Sequence, residues 1–259
     1  MLYTLSGFLI GFLIGLTGVG GGSLMTPLLV LIFKIPTAIA VGTDLLYAAL
    51  TKTLGVFAHH KNNNIQWNIV KNLMMGSIPA SLLTTLFLGH QELYQYDTLT
   101  SIIEIFLGIA LIFTSIAIFF QPLILSKAMK LPQSSASQKK MLTILLGLVL
   151  GFLVTLTSVG AGAIGLTMLL VVYPQYSIKK IVGTDIAHAV PLTLFAGIGH
   201  ASFGSVDLEL LISLIIGSLP GVWIGAKLNA KTNDQWIRLI LVLILFSISF
   251  KLIGSNIDV

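Results

Sequence analysis

Charged positions vanish from the chain over two long distances, between Leu2 and Phe33 and between Leu142 and Tyr173. An unbroken helix over either run would extend about 48 Å at 1.5 Å per residue. That is well beyond the roughly 30 Å hydrocarbon core of a bilayer. Each run is interrupted near its middle by small residues, Thr17-Gly-Val-Gly-Gly-Gly-Ser23 in the first and Thr157-Ser-Val-Gly-Ala-Gly162 in the second. Glycine is costly inside a helix and permissive outside it. The pattern therefore predicts two half-helices around a break in each run. Irregular backbone at membrane depth is tolerated only where it is buried in protein or lines a cavity, so each break reads as part of a binding site.

Three further apolar segments follow the first run, at about 37–58, 69–89 and 99–120, separated by Lys34–Pro36, His59–Asn64 and Gln91–Asp97. Gly76-Ser-Ile-Pro79 predicts a kink in the second of them. Ser126 to Lys140 is polar, basic and without apolar periodicity, which predicts a flexible linker. Beyond it the first half recurs. Gly11-Phe-Leu-Ile-Gly-Leu-Thr-Gly-Val-Gly matches Gly151-Phe-Leu-Val-Thr-Leu-Thr-Ser-Val-Gly, and Val41-Gly-Thr-Asp44 matches Val182-Gly-Thr-Asp185. His59 matches His200, and Gly76–Pro79 matches Gly217–Pro220. The expected organisation is repeat one over 1–121, a linker over 122–140 and repeat two over 141–259. Internal repeats of this size build many transporter folds.

The composition fits this picture: 56% hydrophobic and 9% charged, against roughly 25% charged in an average soluble domain. The class is an all-α integral membrane protein. The net charge of +5 forms no basic stripe with interleaved aromatics, so nucleic acid is not an expected partner. Zero cysteines exclude disulfides, iron–sulfur clusters and thiol catalysis. The N-terminus lacks a basic segment before its apolar run, and no cleaved signal peptide is expected.

Lysine and arginine positions bear on topology. If each broken run is one tilted span, the repeats are parallel and the basic residues divide about evenly between the two faces. If each run enters and returns as a re-entrant hairpin, every repeat has three full spans and the repeats are inverted. All basic residues but Lys34, Lys251 and the intramembrane Lys52 then share one face, as the positive-inside rule favours. The hairpin arrangement is preferred, with both termini outside and the linker in the cytoplasm.

The chemistry follows from the breaks. Helix N-termini carry partial positive charge and unpaired N–H groups, so they bind anions without a buried cation. Candidate anion-binding residues are Thr17, Gly18, Gly20, Gly21, Gly22 and Ser23 in repeat one, and Thr157, Ser158, Gly160 and Gly162 in repeat two, with hydroxyls of Thr26 and Thr167 nearby. Gly7, Gly11 and Gly15, and Gly217, Gly221 and Gly225, have the four-residue spacing of close helix packing. Asp44 and Asp185 are ionisable groups at membrane depth, functional candidates by default. Thr43 and Thr184 precede them and are placed to cap a helix start. Tyr47 and His188 lie three residues on, on the same helical face, which makes Asp185–His188 the better candidate proton relay. The alternative is that each Asp fixes a half-helix to its neighbour, and the two roles are compatible. Lys52 is a candidate to neutralise an anion, pair with a carboxylate such as Glu104, or snorkel to the interface. His59, His200, Trp67, Trp223 and Trp236 are expected at interfacial helix ends. No metal centre and no nucleophile–base set is expected.

Gly-Val-Gly-Gly-Gly-Ser…Pro27 followed by Ala40-Val-Gly-Thr-Asp44, repeated after a basic linker, resembles the TauE/SafE family of sulfite and organosulfonate permeases over essentially the whole chain. The second repeat departs from the glycine pattern at Ser158, Ala161 and Ala163, which opens the question whether both repeats bind substrate alike. The resemblance implies a secondary transporter in the plasma membrane for a small sulfur-containing anion, with no cofactor. A passive anion channel and a membrane-embedded enzyme are the rival expectations.

Overall fold

The apolar runs fold as helices. The computed structural model describes residues 2–17, 22–89, 96–128, 135–229 and 234–254. These form α1 (Leu2–Thr17), α2 (Gly22–Leu31), α3 (Thr37–Lys61), α4 (Trp67–Gly89), α5 (Tyr96–Ala128), α6 (Ala136–Thr157), α7 (Ala163–Val172), α8 (Ile178–Ser202), α9 (Leu208–Asn229) and α10 (Asp234–Gly254). Among the described residues, six segments are long and apolar enough to cross a membrane, drawn from α3, α4, α5, α6, α8 and α9. The half-helices α2 and α7 have 10 residues each, about 15 Å at 1.5 Å per residue, too short to cross alone.

The outer surface is apolar as well as the core. Leu2, Phe57, Leu83 and Ile216 are each at least 60% exposed, while Thr43, Asp44, Ser77, Thr155 and His188 are fully buried beside the apolar core clusters. An apolar exterior is stable in lipid, which solvates it and could not satisfy those polar groups.

The glycine stripes decide which helices meet. Gly7 and Gly11 of α1 press on the carbonyls of Leu214 and Ser218, while Gly217, Gly221 and Gly225 of α9 press on those of Thr4, Phe8 and Phe12. On the other side of the molecule Gly76 of α4 meets the Ile144 carbonyl, and Gly147 and Gly151 of α6 meet those of Leu73 and Ser77. Small residues let backbones approach closely, the usual basis of helix association in membranes. Besides these two pairs, α3 packs on α8 and α5 on α10. Each of the four pairs joins a helix from before the linker to one from after it.

The ends of each broken run lie close together. The Tyr173 hydroxyl at the end of α7 lies 2.8 Å from the Thr143 hydroxyl near the start of α6, and Lys139 Nζ donates to Gln175 Oε1 at 3.3 Å. Phe33, just past α2, stacks 5.1 Å from Tyr3 at the start of α1.

Three expectations change. The stretch read as a linker without regular structure is helical at both flanks, since α5 continues to Ala128 and α6 begins at Ala136. Ser135 and Gln138 form a reciprocal capping box there, a signal present in the sequence as Ser-x-x-Gln. Thr43 and Thr184 cap neither α3 nor α8, which start earlier, with N-caps at Pro36 and Ser177. His200 is 4% exposed and bonds the Thr155 carbonyl oxygen at 2.9 Å, so it is an interior residue. Trp67 and Trp223 are exposed, and Trp236 has no described side chain.

Candidate functional site

The α6–α7 break supplies the scaffold. Ser158 (φ 60°), Gly160 (φ 119°) and Gly162 (φ 140°) all have positive φ, accessible to glycine and strained for serine. The turn is held locally: the Val159 amide donates to Thr157 Oγ1 at 3.1 Å, and the Gly165 amide to the Gly160 carbonyl at 3.1 Å. The N-cap of α7, Gly162, has no side-chain cap, so the start of α7 receives no capping oxygen from it. In the α1–α2 break Thr17 ends one helix and Gly22 begins the next, with Ser23 partly buried. Gly18, Gly20 and Gly21 lie outside the described residues.

Asp44 fastens the first half-helix. Its Oδ2 accepts from both the Thr26 hydroxyl at 2.6 Å and the Thr26 amide at 3.2 Å. This is the fixing role weighed for the carboxyl, and α2 is the element fixed. Asp185 makes no matching bond: its Oδ1 and the Thr167 hydroxyl are both buried without a partner. Its carboxyl lies instead against Gly165, where an added Cβ would stand 2.6 Å from Oδ1.

Lys52 reaches the break itself. Its Nζ donates to the Ala161 carbonyl at 3.0 Å, and its charge acts on both Asp185 and Asp44. Glu104 is elsewhere, accepting from the Thr37 hydroxyl at 2.7 Å beside a cavity of about 330 Å³ lined also by Lys34 and Lys251. His188 does not bond Asp185; its Nε2 is 2.9 Å from Ser77 Oγ. The Tyr47 hydroxyl is buried without a partner.

The two threonines of the Val-Gly-Thr-Asp motifs reach across the molecule. Thr43 Oγ1 accepts from the Asp207 amide at 3.0 Å, before α9, and Thr184 Oγ1 from the Gln66 amide at 2.9 Å, before α4. The preceding glycines leave room for this: Gly42 meets Ser205 and His200, and Gly183 meets Asn64 and His59. These threonines tie α3 and α8 to the segments that lead into α9 and α4. Sequence reading missed Ser77 and the reach of Lys52 to Ala161; the first had its own signal, a polar residue beside a glycine in an apolar run. Among the described residues no group of three or more His, Cys, Asp or Glu converges to hold a metal ion.

A many-helix fold with polar groups buried in its interior, two interrupted helices and buried carboxyls in apolar segments is that of a multi-pass membrane transporter. The family profile described as "Sulfite exporter TauE/SafE" matches residues 3–252, and the chain belongs to this family. It is 39% identical over 254 residues to "Probable membrane transporter protein YjnA" of Bacillus subtilis, covering 96% of this chain and 98% of that one. It is 32% identical to "Probable membrane transporter protein YdhB" of the same organism, covering 88% and 89%. "Probable membrane transporter protein MJ0441" of Methanocaldococcus jannaschii is 28% identical, covering 94% and 91%. No solved structure matches the chain. The family's description and the relatives' names all denote membrane transport rather than catalysis.

Proposed function

We propose that the protein is a secondary transporter of a small sulfur oxyanion, sulfite or a short organosulfonate, in the plasma membrane, with its site at the α6–α7 break. The observation that carries this reading is the Lys52–Ala161 bond at a Gly-rich break, together with the hydroxyls of Ser158 and Thr167 and one carboxyl oxygen each of Asp44 and Asp185, all buried without partners. Buried hydroxyls left unpaired are costly, and an oxyanion that accepts from those of Ser158 and Thr167 relieves that cost. The sulfur chemistry comes from the family's description; the relatives' names specify no substrate. The α1–α2 break is assigned the matching place in repeat one.

Each broken run is assigned a re-entrant hairpin, and the two repeats are taken as inverted about the α3–α8 pair. The return of Tyr173 to Thr143 and of Phe33 to Tyr3 supports this. So does the matched pairing of Thr43 with Asp207 and Thr184 with Gln66. Rocking of one unit against the other would expose the site alternately, with Asp44, Asp185 and His188 coupling or gating the movement.

Two experiments test the reading. Purified protein in proteoliposomes should take up sulfite or sulfoacetate saturably, and faster when an ion gradient is imposed. Uptake proportional to concentration with no response to any gradient but the anion's own would identify a channel instead. In this cysteine-free chain, single cysteines at Ser134 and Gln175 should both react only with a reagent on the cytoplasmic side. Labelling from opposite sides would replace the hairpins by single tilted spans.

A further inference from the structure

Lys34 and Lys251 stand apart from the other basic residues. With the hairpin topology proposed above, they are the only two of the 14 lysines and arginines on the outer face, Lys52 lying inside. Positive charge is disfavoured on that face, and the two lysines are far apart in the sequence. Yet both line one cavity of about 330 Å³, formed where the turn after α2, the start of α3, α5 and the last turn of α10 meet. Lys34 is held there in the left-handed conformation, with φ 56°, which glycine enters freely and a residue with a side chain does not. Strain of this kind gathers at positions that hold ligands.

The repeat does not demand this arrangement. A shift of 141 positions carries α2 onto α7, from Gly22 to Ala163, and α3 onto α8, from Thr37 to Ile178. The same shift relates Lys34 to Gln175, Glu104 to Leu245 and Lys251 to Ala110. The paired cations therefore belong to one end of the molecule only.

The walls of the cavity define its occupant. Its one carboxyl, Glu104, accepts from the Thr37 hydroxyl at 2.7 Å, and two ammonium groups outnumber it whatever its charge. Val30, Leu31, Ile35 and Leu252 line much of the rest, and Ile32 and Phe250, next to these walls in the chain, are exposed on the apolar exterior. Both lysines sit at helix ends, the depth at which phospholipid headgroups lie. A small inorganic oxyanion would gain from the ammonium groups alone. A phospholipid gains from both surfaces, its phosphodiester at the lysines and its glycerol and acyl carbons on the apolar wall. The excess of positive charge favours an anionic headgroup over phosphatidylcholine, whose own cation would meet two others.

We propose that the Lys34–Lys251 cavity binds the headgroup of an anionic phospholipid such as phosphatidylglycerol, which braces the α2–α3 turn against α5 and α10. The leaflet follows from the hairpin topology; the site itself is independent of it and separate from the α6–α7 break.

The test heats purified, delipidated protein in neutral detergent with phosphatidylglycerol, phosphatidylcholine or sodium sulfite. Phosphatidylglycerol at about a hundred times its half-saturating concentration should raise the thermal midpoint by about 5 °C, and phosphatidylcholine should not raise it. Lys34→Gln with Lys251→Gln should lose that shift, while Lys61→Gln with Lys71→Gln, exposed lysines of the other face, should keep it. Lys34→Gly relieves the left-handed strain, so it should be at least as stable as wild type without lipid and still lose most of the shift. An equal shift in the Lys34/Lys251 variant and wild type, or none in wild type, would overturn the site. A sulfite shift as large, and lost in the same variant, would replace the lipid by a free oxyanion. None of these readouts is a flux, so the outcome leaves the transporter reading to its own experiments.

Discussion

Gly221→Leu is expected to prevent α1 and α9 from pairing and to lower the thermal midpoint of the purified protein by roughly 10 °C, or to yield no folded protein. The reason lies in what a side chain would meet. A Cβ at Gly221 runs into the Phe8 carbonyl oxygen and comes within 2.8 Å of the Phe12 amide nitrogen. Overpacking usually costs about 1–3 kcal/mol because neighbouring side chains give way. Here the obstructing atoms are backbone, which cannot rotate aside, so the helices must separate along the whole stripe. A loss above about 3 kcal/mol corresponds to the stated shift at about 2–4 °C per kcal/mol for a chain of this order of size. Gly254→Ala is the matched control: nothing lies within 4 Å of a Cβ there, and its midpoint should stay at the wild-type value. A Gly221→Leu protein as stable as the control would show that the glycine stripe does not hold this pair together.

Lys52→Met should lower anion flux about a hundredfold. The change removes the donor to the Ala161 carbonyl and strips the cation from two buried carboxyls. Removing one member of a buried charge set costs about 3–5 kcal/mol because the other is left uncompensated. The low end applies, since Lys52 is only partly buried, and about 3 kcal/mol is two decades at 1.4 kcal/mol per tenfold. If the effect is electrostatic, adding Asp185→Asn to Lys52→Met should restore part of the flux, whereas Asp185→Asn alone should not exceed wild type. A Lys52→Met protein with wild-type flux would remove the lysine from the site. Failure of the double substitution to recover any flux would locate its role in shaping the break through Ala161.

Much of the architecture was legible in the sequence for a simple reason. Lipid imposes a length and a composition on a spanning helix, and glycine marks where the backbone either breaks or approaches a neighbour. Gly7, Gly11 and Gly15, and Gly217, Gly221 and Gly225, were read as packing positions from spacing alone, and Gly7, Gly11, Gly217, Gly221 and Gly225 press on a facing backbone. Asp44 was singled out because an ionisable group is costly in a bilayer, and it is fully buried. Thr43 and Thr184 show where this reasoning ends. Their sequence neighbourhood resembles a helix start, but each lies inside a longer helix, and its hydroxyl accepts from an amide more than a hundred residues away. His200 does lie in the last turn of α8, as its spacing suggests, but it is buried against the Thr155 carbonyl instead of sitting at an interface.

The sequence by itself determined that the chain lives in a bilayer, where its helices break and which polar groups must be accounted for at depth. Each of these follows from one-dimensional pattern: run length, glycine placement, and the energetic penalty of charge in hydrocarbon. Only the tertiary structure decided partners. Helical periodicity tells which residues share a face and nothing about which helix covers it. That α1 meets α9, that Lys52 reaches Ala161, and that Asp44 holds Thr26 while Asp185 holds no hydroxyl are set by the packing of helices from both sides of the linker.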